Sequence, residues 1–178
     1  KLSSDSSTHK HIVETKGPLI KQKTGVCFIP VPHEGNTQGS LEEVQKIQLI
    51  TQELVGCTYW PDFDNNKRHI GWNDILFVAP YNYQVNLLRT ALGEKAKIGS
   101  IDKFQGQEAP IVIMSMCASD AADSPRGIDF LFSKNRLNVA ISRAQSLAIV
   151  VGNPKLANTR VNSLKQMEQI NFFCDILR

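Results

Sequence analysis

Four short apolar runs, at residues 26–31, 75–79, 111–114 and 147–151, restrict this chain to few folds. Each is too short for a helix and too continuous for a strand with one wet face, so each predicts a strand buried on both faces. Between the runs the apolar period becomes that of a helix. Ser40 with Glu43 three residues on has the pattern of a capping box, and Leu41, Val44, Ile47, Ile50 and Leu54 follow at helical spacing. Tyr81, Val85, Leu88 and Leu92 mark a second helix. Leu137, Ile141 and Ala144 mark the core side of a third over 134–144, and Leu164, Met167, Ile170, Cys174 and Leu177 a C-terminal fourth. Alternating strands and helices predict a doubly wound α/β domain with a mainly parallel sheet, helices on both faces and a ligand edge at the strand carboxyl ends. Polar loops starting at residues 80, 100, 118 and 152 fall on that edge; the one at 118–133 carries Asp120, Asp123, Arg126, Gly127 and Asp129.

Two stretches lack a clear period. Residues 1–24, rich in Ser, Thr, Lys and His near their start, predict a flexible lead-in or linker, leaving 25–178 as one domain. Residues 56–74 predict a long irregular loop with two tryptophans, in which Asp62, Asp64 and Lys67 do not have the spacing of a nuclease centre. With 178 residues, 42% of them hydrophobic, the chain can bury one core of ordinary size. A net charge of +3 does not by itself select nucleic acid as a partner. No run approaches the ~18 apolar residues of a membrane helix, and a start at Lys1 without a signal-peptide pattern predicts a soluble part of a longer protein. Cys27, Cys57, Cys117 and Cys174 share no metal or redox spacing, which suits a reducing cytoplasmic setting. His9, His11, His33 and His69 form no ligand cluster, so no metal is expected on this chain alone.

Function concentrates in two segments. Residues 99–108, Gly-Ser-Ile-Asp-Lys-Phe-Gln-Gly-Gln-Glu, crowd carboxylates, two glutamines, a hydroxyl and the flexible Gly106 between predicted strands, which marks a ligand loop. Residues 134–144 place Arg136 and Arg143 seven residues apart, within about 20° of each other around a helix axis. Residues 93–100 imitate a phosphate-binding loop but lack the lysine before the final hydroxyl residue, and a strand rather than a helix is expected next.

Ala-Pro-Tyr-Asn-Tyr-Gln (79–84), the 99–108 segment and Asn-Arg-Leu-Asn-Val-Ala-Ile-Ser-Arg-Ala (135–144) resemble, in order, motifs IV, V and VI of superfamily 1 helicases. The subgroup resembled contains the nonsense-mediated-decay RNA helicase and the Okazaki-fragment helicase-nuclease, in which a strand ending in Val-Gly-Asn-Pro, here 151–154, follows motif VI. The resemblance covers residues 25 to about 155 and implies a RecA-like P-loop NTPase fold without a Walker A loop. This is the second of two motor domains that clasp ATP and move along single-stranded DNA or RNA, with a 5′ to 3′ direction expected from the family.

By the same resemblance Arg143 is the arginine finger, Glu108 accepts a hydrogen bond from the ribose, and Gly106 lets the backbone approach the nucleotide. Arg136 supports Arg143 or binds phosphate. Ser100 and Asp102 face the nucleic-acid backbone, and Tyr81 and Gln84 line the strand path or, for the tyrosine, the core. Gln145 stands where many relatives carry a further arginine. Mg2+ and most of the ATP pocket are expected from an N-terminal RecA-like domain of the same polypeptide, so this segment alone is expected to be inactive. The rival reading is a non-catalytic nucleic-acid-binding or assembly module that keeps the fold. A kinase-like enzyme is disfavoured by the missing phosphate loop.

Overall fold

The computed structural model describes residues 11–61, 66–104 and 106–177. Its centre is a five-stranded sheet. In chain order after the first strand β1 (Ile12–Glu14) come β2 (Gly25–Pro30), α1 (Leu41–Leu54), β3 (Thr58–Trp60), β4 (Arg68–His69), β5 (Ile75–Val78), α2 (Asn82–Leu92), β6 (Lys97–Gly99) and β7 (Ala109–Ser115). They are followed by α3 (Gly127–Leu131), α4 (Lys134–Ser142), β8 (Ala144–Gly152) and α5 (Leu164–Leu177). The main sheet has the order β2-β8-β7-β5-β6 with every pair parallel.

The continuous apolar runs become its interior strands because both faces are covered. Ile75, Phe77, Ile111, Ile113, Leu147 and Ile149 point to the side of α1 and α2, where Val44, Ile47, Ile50, Leu54, Val85 and Leu88 meet them. The alternate residues Leu76, Val78, Val112, Met114 and Val150 face α3, α4 and α5 through Leu131, Leu137, Ala140, Ile170 and Phe173. Each fully buried Leu, Ile or Phe contributes about 1.5–3 kcal/mol. The α5 face is rotated from the one its apolar period suggests. Ile170, Phe173 and Ile176 are buried, while Leu164 is 80% exposed and Met167 half exposed, because Phe173 is the residue that fits between Phe28 and Phe132.

Two expectations are corrected. Residues 11–24 are not a lead-in: β1 pairs antiparallel with β3, Val13 and Ile20 enter the core, and the Glu53 carboxylate accepts the N–H groups of Leu19 and Ile20 at 3.1 and 3.0 Å. Residues 1–10 lie outside the described residues. Nor is 56–74 irregular, since β3 pairs with β4 and closes a second, three-stranded sheet in the order β1-β3-β4; Asp62 and Asp64 lie outside the described residues.

The far end of this small sheet is fastened by Arg68, whose guanidinium donates to both Asp74 oxygens at 2.7 and 2.8 Å. Burial tends to raise the Asp74 pKa and is the largest single influence, but Arg68, the Gly71 N–H and Lys97 together outweigh it. The carboxyl titrates below its ordinary 3.8. A depressed carboxyl stabilises the fold above its unfolded pKa and loses that contribution as pH falls through the folded value. Asp74→Asn should therefore cost under about 1 kcal/mol near neutral pH, the pair being partly exposed. The variant's melting temperature should converge on that of the wild type on acidification, and a gap that stays constant to about pH 2 contradicts the assignment.

The capping box is only half built. Ser40 Oγ accepts from the Glu43 N–H at 3.1 Å, but the Glu43 carboxylate turns inward instead of back to Ser40. It is fully buried, 2.9 Å from His33 Nε2, and accepts from Ser115 Oγ and from the Cys117 N–H at 2.9 Å. His33 Nδ1 lies 2.7 Å from Ser119 Oγ, and Asn153 Nδ2 donates to the His33 carbonyl. One carboxylate thus ties α1 to the segments leaving β2 and β7, and the segment leaving β8 joins them through Asn153 and the His33 carbonyl. Cys117 sits at φ +53 in this network; burial, then the Glu43 charge, holds its thiol well above its ordinary pKa. Burial also raises Cys27 to about 12, so neither thiol is a ready nucleophile.

Candidate nucleotide and nucleic-acid sites

Gly99 ends β6 at the carboxyl edge of the sheet, whereas Ala109 begins β7 at the amino edge, with β5 between the two strands. Residues 100–104 and 106–108 therefore lead from one edge of the sheet to the other on the face of α3, α4 and α5. A 3-10 turn over Ile101–Phe104 makes the crossing, anchored by the buried Ile101 and Phe104. Gly106 at φ +80 turns the chain into β7, a conformation that L side chains rarely adopt.

This path overturns one expectation. The ligand residues do not all lie on the carboxyl edge. The Ala109 N–H donates to the Arg143 carbonyl at 3.0 Å and Ala109 is in register with Ala144, so Glu108 and Arg143 stand side by side, each one residue before its strand, on the amino edge. Glu108 is exposed. Arg143 is not in the body of a helix but caps α4 at φ −76, ψ −14; it is half-buried, and its Nε is fully buried with no hydrogen-bond partner among the described residues. An unsatisfied buried donor costs about 1–3 kcal/mol.

Arg136 does not join Arg143. Sharing one edge of a helix, the two still differ by two turns, about 10 Å along the axis. Arg136 belongs to the other end of α4, where its Nη2 lies 3.5 Å from Asp102 and its guanidinium 4.4 Å from the centre of the Phe130 ring. There a cavity of about 390 Å³ opens at the carboxyl edge, lined by Ser100, Asp102, Arg126, Arg136, Tyr81 and Tyr83 among others. Ser100, Asp102 and Tyr81 are thus brought together. Tyr81 is mostly buried, its ring 5.2 Å from Phe130 and its hydroxyl hydrogen-bonded to Ser124.

Gln84 is corrected. It is fully buried: its Oε1 accepts the Ser40 N–H at 2.9 Å and its Nε2 donates to Ser115 Oγ at 2.8 Å, so it positions the start of α1 and is closed to a strand. Sequence reasoning named Arg126 in the 118–133 loop without giving it a role, and did not single out Tyr83. The available signals were an arginine in the polar 118–133 loop and a second aromatic two residues after Tyr81, on the outward side of the first turn of α2. Among the described residues no group of three His, Cys, Asp or Glu side chains is placed to hold a metal, and no helix is long and apolar enough to cross a membrane.

Comparison with known proteins agrees with this architecture. A family model described as an AAA domain matches residues 1–155. The chain is 33% identical over 150 residues to DNA-binding protein SMUBP-2 of Mesocricetus auratus, covering 82% of this chain and 14% of that protein. It is 38% identical over 123 residues to "Probable RNA helicase armi" of Drosophila melanogaster, 65% of this chain and 9% of that one. It is 43% identical over 83 residues to DNA polymerase alpha-associated DNA helicase A of Schizosaccharomyces pombe, 45% of this chain and 12% of that one. The chain therefore spans only a small part of the relatives it matches. With the parallel sheet, the ordered motifs and these matches together, the chain belongs to the AAA domain family as a C-terminal RecA-like domain of the superfamily 1 helicase type.

Proposed function

We propose that this domain is the second half of an ATP-driven motor that moves along single-stranded nucleic acid. In this reading Arg143 reaches the γ-phosphate of an ATP held mainly, with Mg2+, by an N-terminal RecA-like domain of the same polypeptide, and Glu108 accepts from the ribose. The observation that carries it is the pairing of Glu108 with Arg143 on the amino edge, where the arginine presents a charged group whose buried Nε has no partner among the described residues. A carboxylate close to a triphosphate is repelled, whereas one over a ribose hydroxyl is not, so the two side chains suit opposite ends of one nucleotide. The helicase and DNA-binding names of the relatives support a strand as the track, and because they include both DNA and RNA they favour neither.

The direct test is ATP hydrolysis by the complete polypeptide with and without single strands. Strand-stimulated turnover is the expected result. Strand binding without turnover rejects the motor and leaves a binding module with an inherited fold.

A further inference from the structure

The cavity at the carboxyl edge lies away from Glu108 and Arg143, across the sheet, and its own chemistry is distinctive. The Arg126 and Arg136 guanidiniums lie 4.6 and 4.4 Å from the centre of one ring, that of Phe130, which is itself packed on Tyr81. Two cations so placed can be no further apart than about 9 Å. They repel each other, and among the described residues the carboxylate in reach is Asp102, 3.5 Å from Arg136 and largely exposed; no carboxylate pairs with Arg126. Two arginines against one aspartate leave one net positive charge. That matches the single charge of a phosphodiester and undersupplies a triphosphate. Holding both planar forks on an aromatic ring also fixes their direction before a ligand arrives, so less freedom is lost on binding.

On another wall of the same cavity stands Tyr83, which is 59% exposed. Its ring rests directly on Gly39, where a Cβ would come within 2.5 Å of Tyr83 Cδ1. An exposed aromatic beside fixed cations is the combination that holds single strands, the ring stacking on a base and the cations meeting the backbone.

We propose that this cavity is a one-nucleotide subsite for single-stranded nucleic acid, in which Arg126 and Arg136, held on Phe130, take a backbone phosphate and Tyr83 stacks on the adjoining base. The proposal rests on the nucleic-acid reading above. It adds two strand contacts, Arg126 and Tyr83, and moves Arg136 from the nucleotide to the strand.

The test uses the complete polypeptide, a labelled oligothymidylate and an abasic strand of equal length, with affinity measured across a salt series. Arg126→Ala should weaken both strands by about ten-fold at low salt and reduce the slope of log affinity against log salt by about 0.7, the value for one phosphate contact on a single strand. Tyr83→Ala should weaken the oligothymidylate by about five-fold or more, leave the abasic strand unchanged and keep the salt slope. Both side chains are exposed, so neither substitution removes a core contact. If the wild type binds strands and both variants keep its affinity and slope, the subsite is wrong and the motor reading stands. If Arg126→Ala instead loses affinity for a fluorescent ATP analogue, the clasp serves nucleotide and the strand assignment falls. A wild type that binds no strand overturns both readings.

Discussion

Arg143→Ala in the complete polypeptide should lower strand-stimulated ATP turnover by about 10³- to 10⁵-fold, the range for loss of an arginine finger. Single-strand affinity should stay near that of the wild type. The size follows from what the side chain offers. Arg143 caps α4 beside the start of β8, so the backbone beneath it is fixed by the ladder to β7. The side chain is half-buried and makes no hydrogen bond or ion pair among the described residues, so a phosphate oxygen that meets its guanidinium gains a charged donor that no described protein group competes for. The gain grows as negative charge develops on the transferred phosphoryl group, which is why it falls on turnover more than on binding. Arg143→Lys separates charge from geometry: a lysine keeps one positive charge but not the planar fork, and should recover only a small part of the rate. Because the substitution removes an unsatisfied donor, the alanine variant should be no less stable than the wild type. If its turnover remains within ten-fold of the wild type, the finger assignment is wrong. A comparable loss of strand affinity would instead place Arg143 on the track.

What could be read from the residues alone divides along a physical line. β5, β7 and β8 announce themselves because a parallel strand covered on both faces must be apolar without interruption, and nothing distant is needed to see it. Ile12–Glu14 and Thr58–Trp60 carry no such run. Each is three residues long, and their pairing joins segments more than forty residues apart, so only the fold makes them strands. The motif residues were legible as a set but not as a layout. Glu108 and Arg143 follow from local pattern, whereas their meeting on the amino edge depends on the order β8-β7-β5-β6, by which residues 100–104 and 106–108 lead from one edge of the sheet to the other. Arg136 shows the limit of a helical wheel. The wheel gives the angle it shares with Arg143 but not the two turns that send it to Phe130 and Asp102. Tyr83 and Gln84 show the same limit in reverse. Adjacent in sequence within one motif, they point opposite ways, the first into solvent and the second into the core.

Glu43 has a local pattern that is correct and yet incomplete, and it carries the largest expected effect on stability. Ser-x-x-Glu predicts a helix start and α1 does start there, but the carboxylate is taken by donors that arrive more than seventy residues later, Ser115 and the Cys117 N–H, together with His33. Glu43→Ala leaves all three donors buried beside an empty space. Breaking a buried network of this kind costs about 3–5 kcal/mol. In a domain of this size that lowers the melting temperature by roughly 6–20 °C. Glu43→Gln keeps the volume and one acceptor but turns an NH2 group toward a donor, so its loss should be smaller, about 1–3 kcal/mol. In the complete polypeptide the transition is assigned to this domain by amide hydrogen exchange along β7, whose protection should fall with the alanine substitution. The damage should also be directional. The carboxylate joins α1 to the carboxyl ends of β2 and β7, and Gln84, which shares Ser115 with it, holds the start of α1 against α2. The carboxyl-edge cavity begins one helical turn away, at Tyr81 and Tyr83. The Glu43→Ala protein should therefore lose strand affinity, which the cavity supports, at temperatures where the Glu108–Arg143 pair on the far edge is still in place and nucleotide binding is retained. A variant that melts with the wild type shows that the buried carboxylate is replaceable, and the network would then be packing rather than the fastening of this edge.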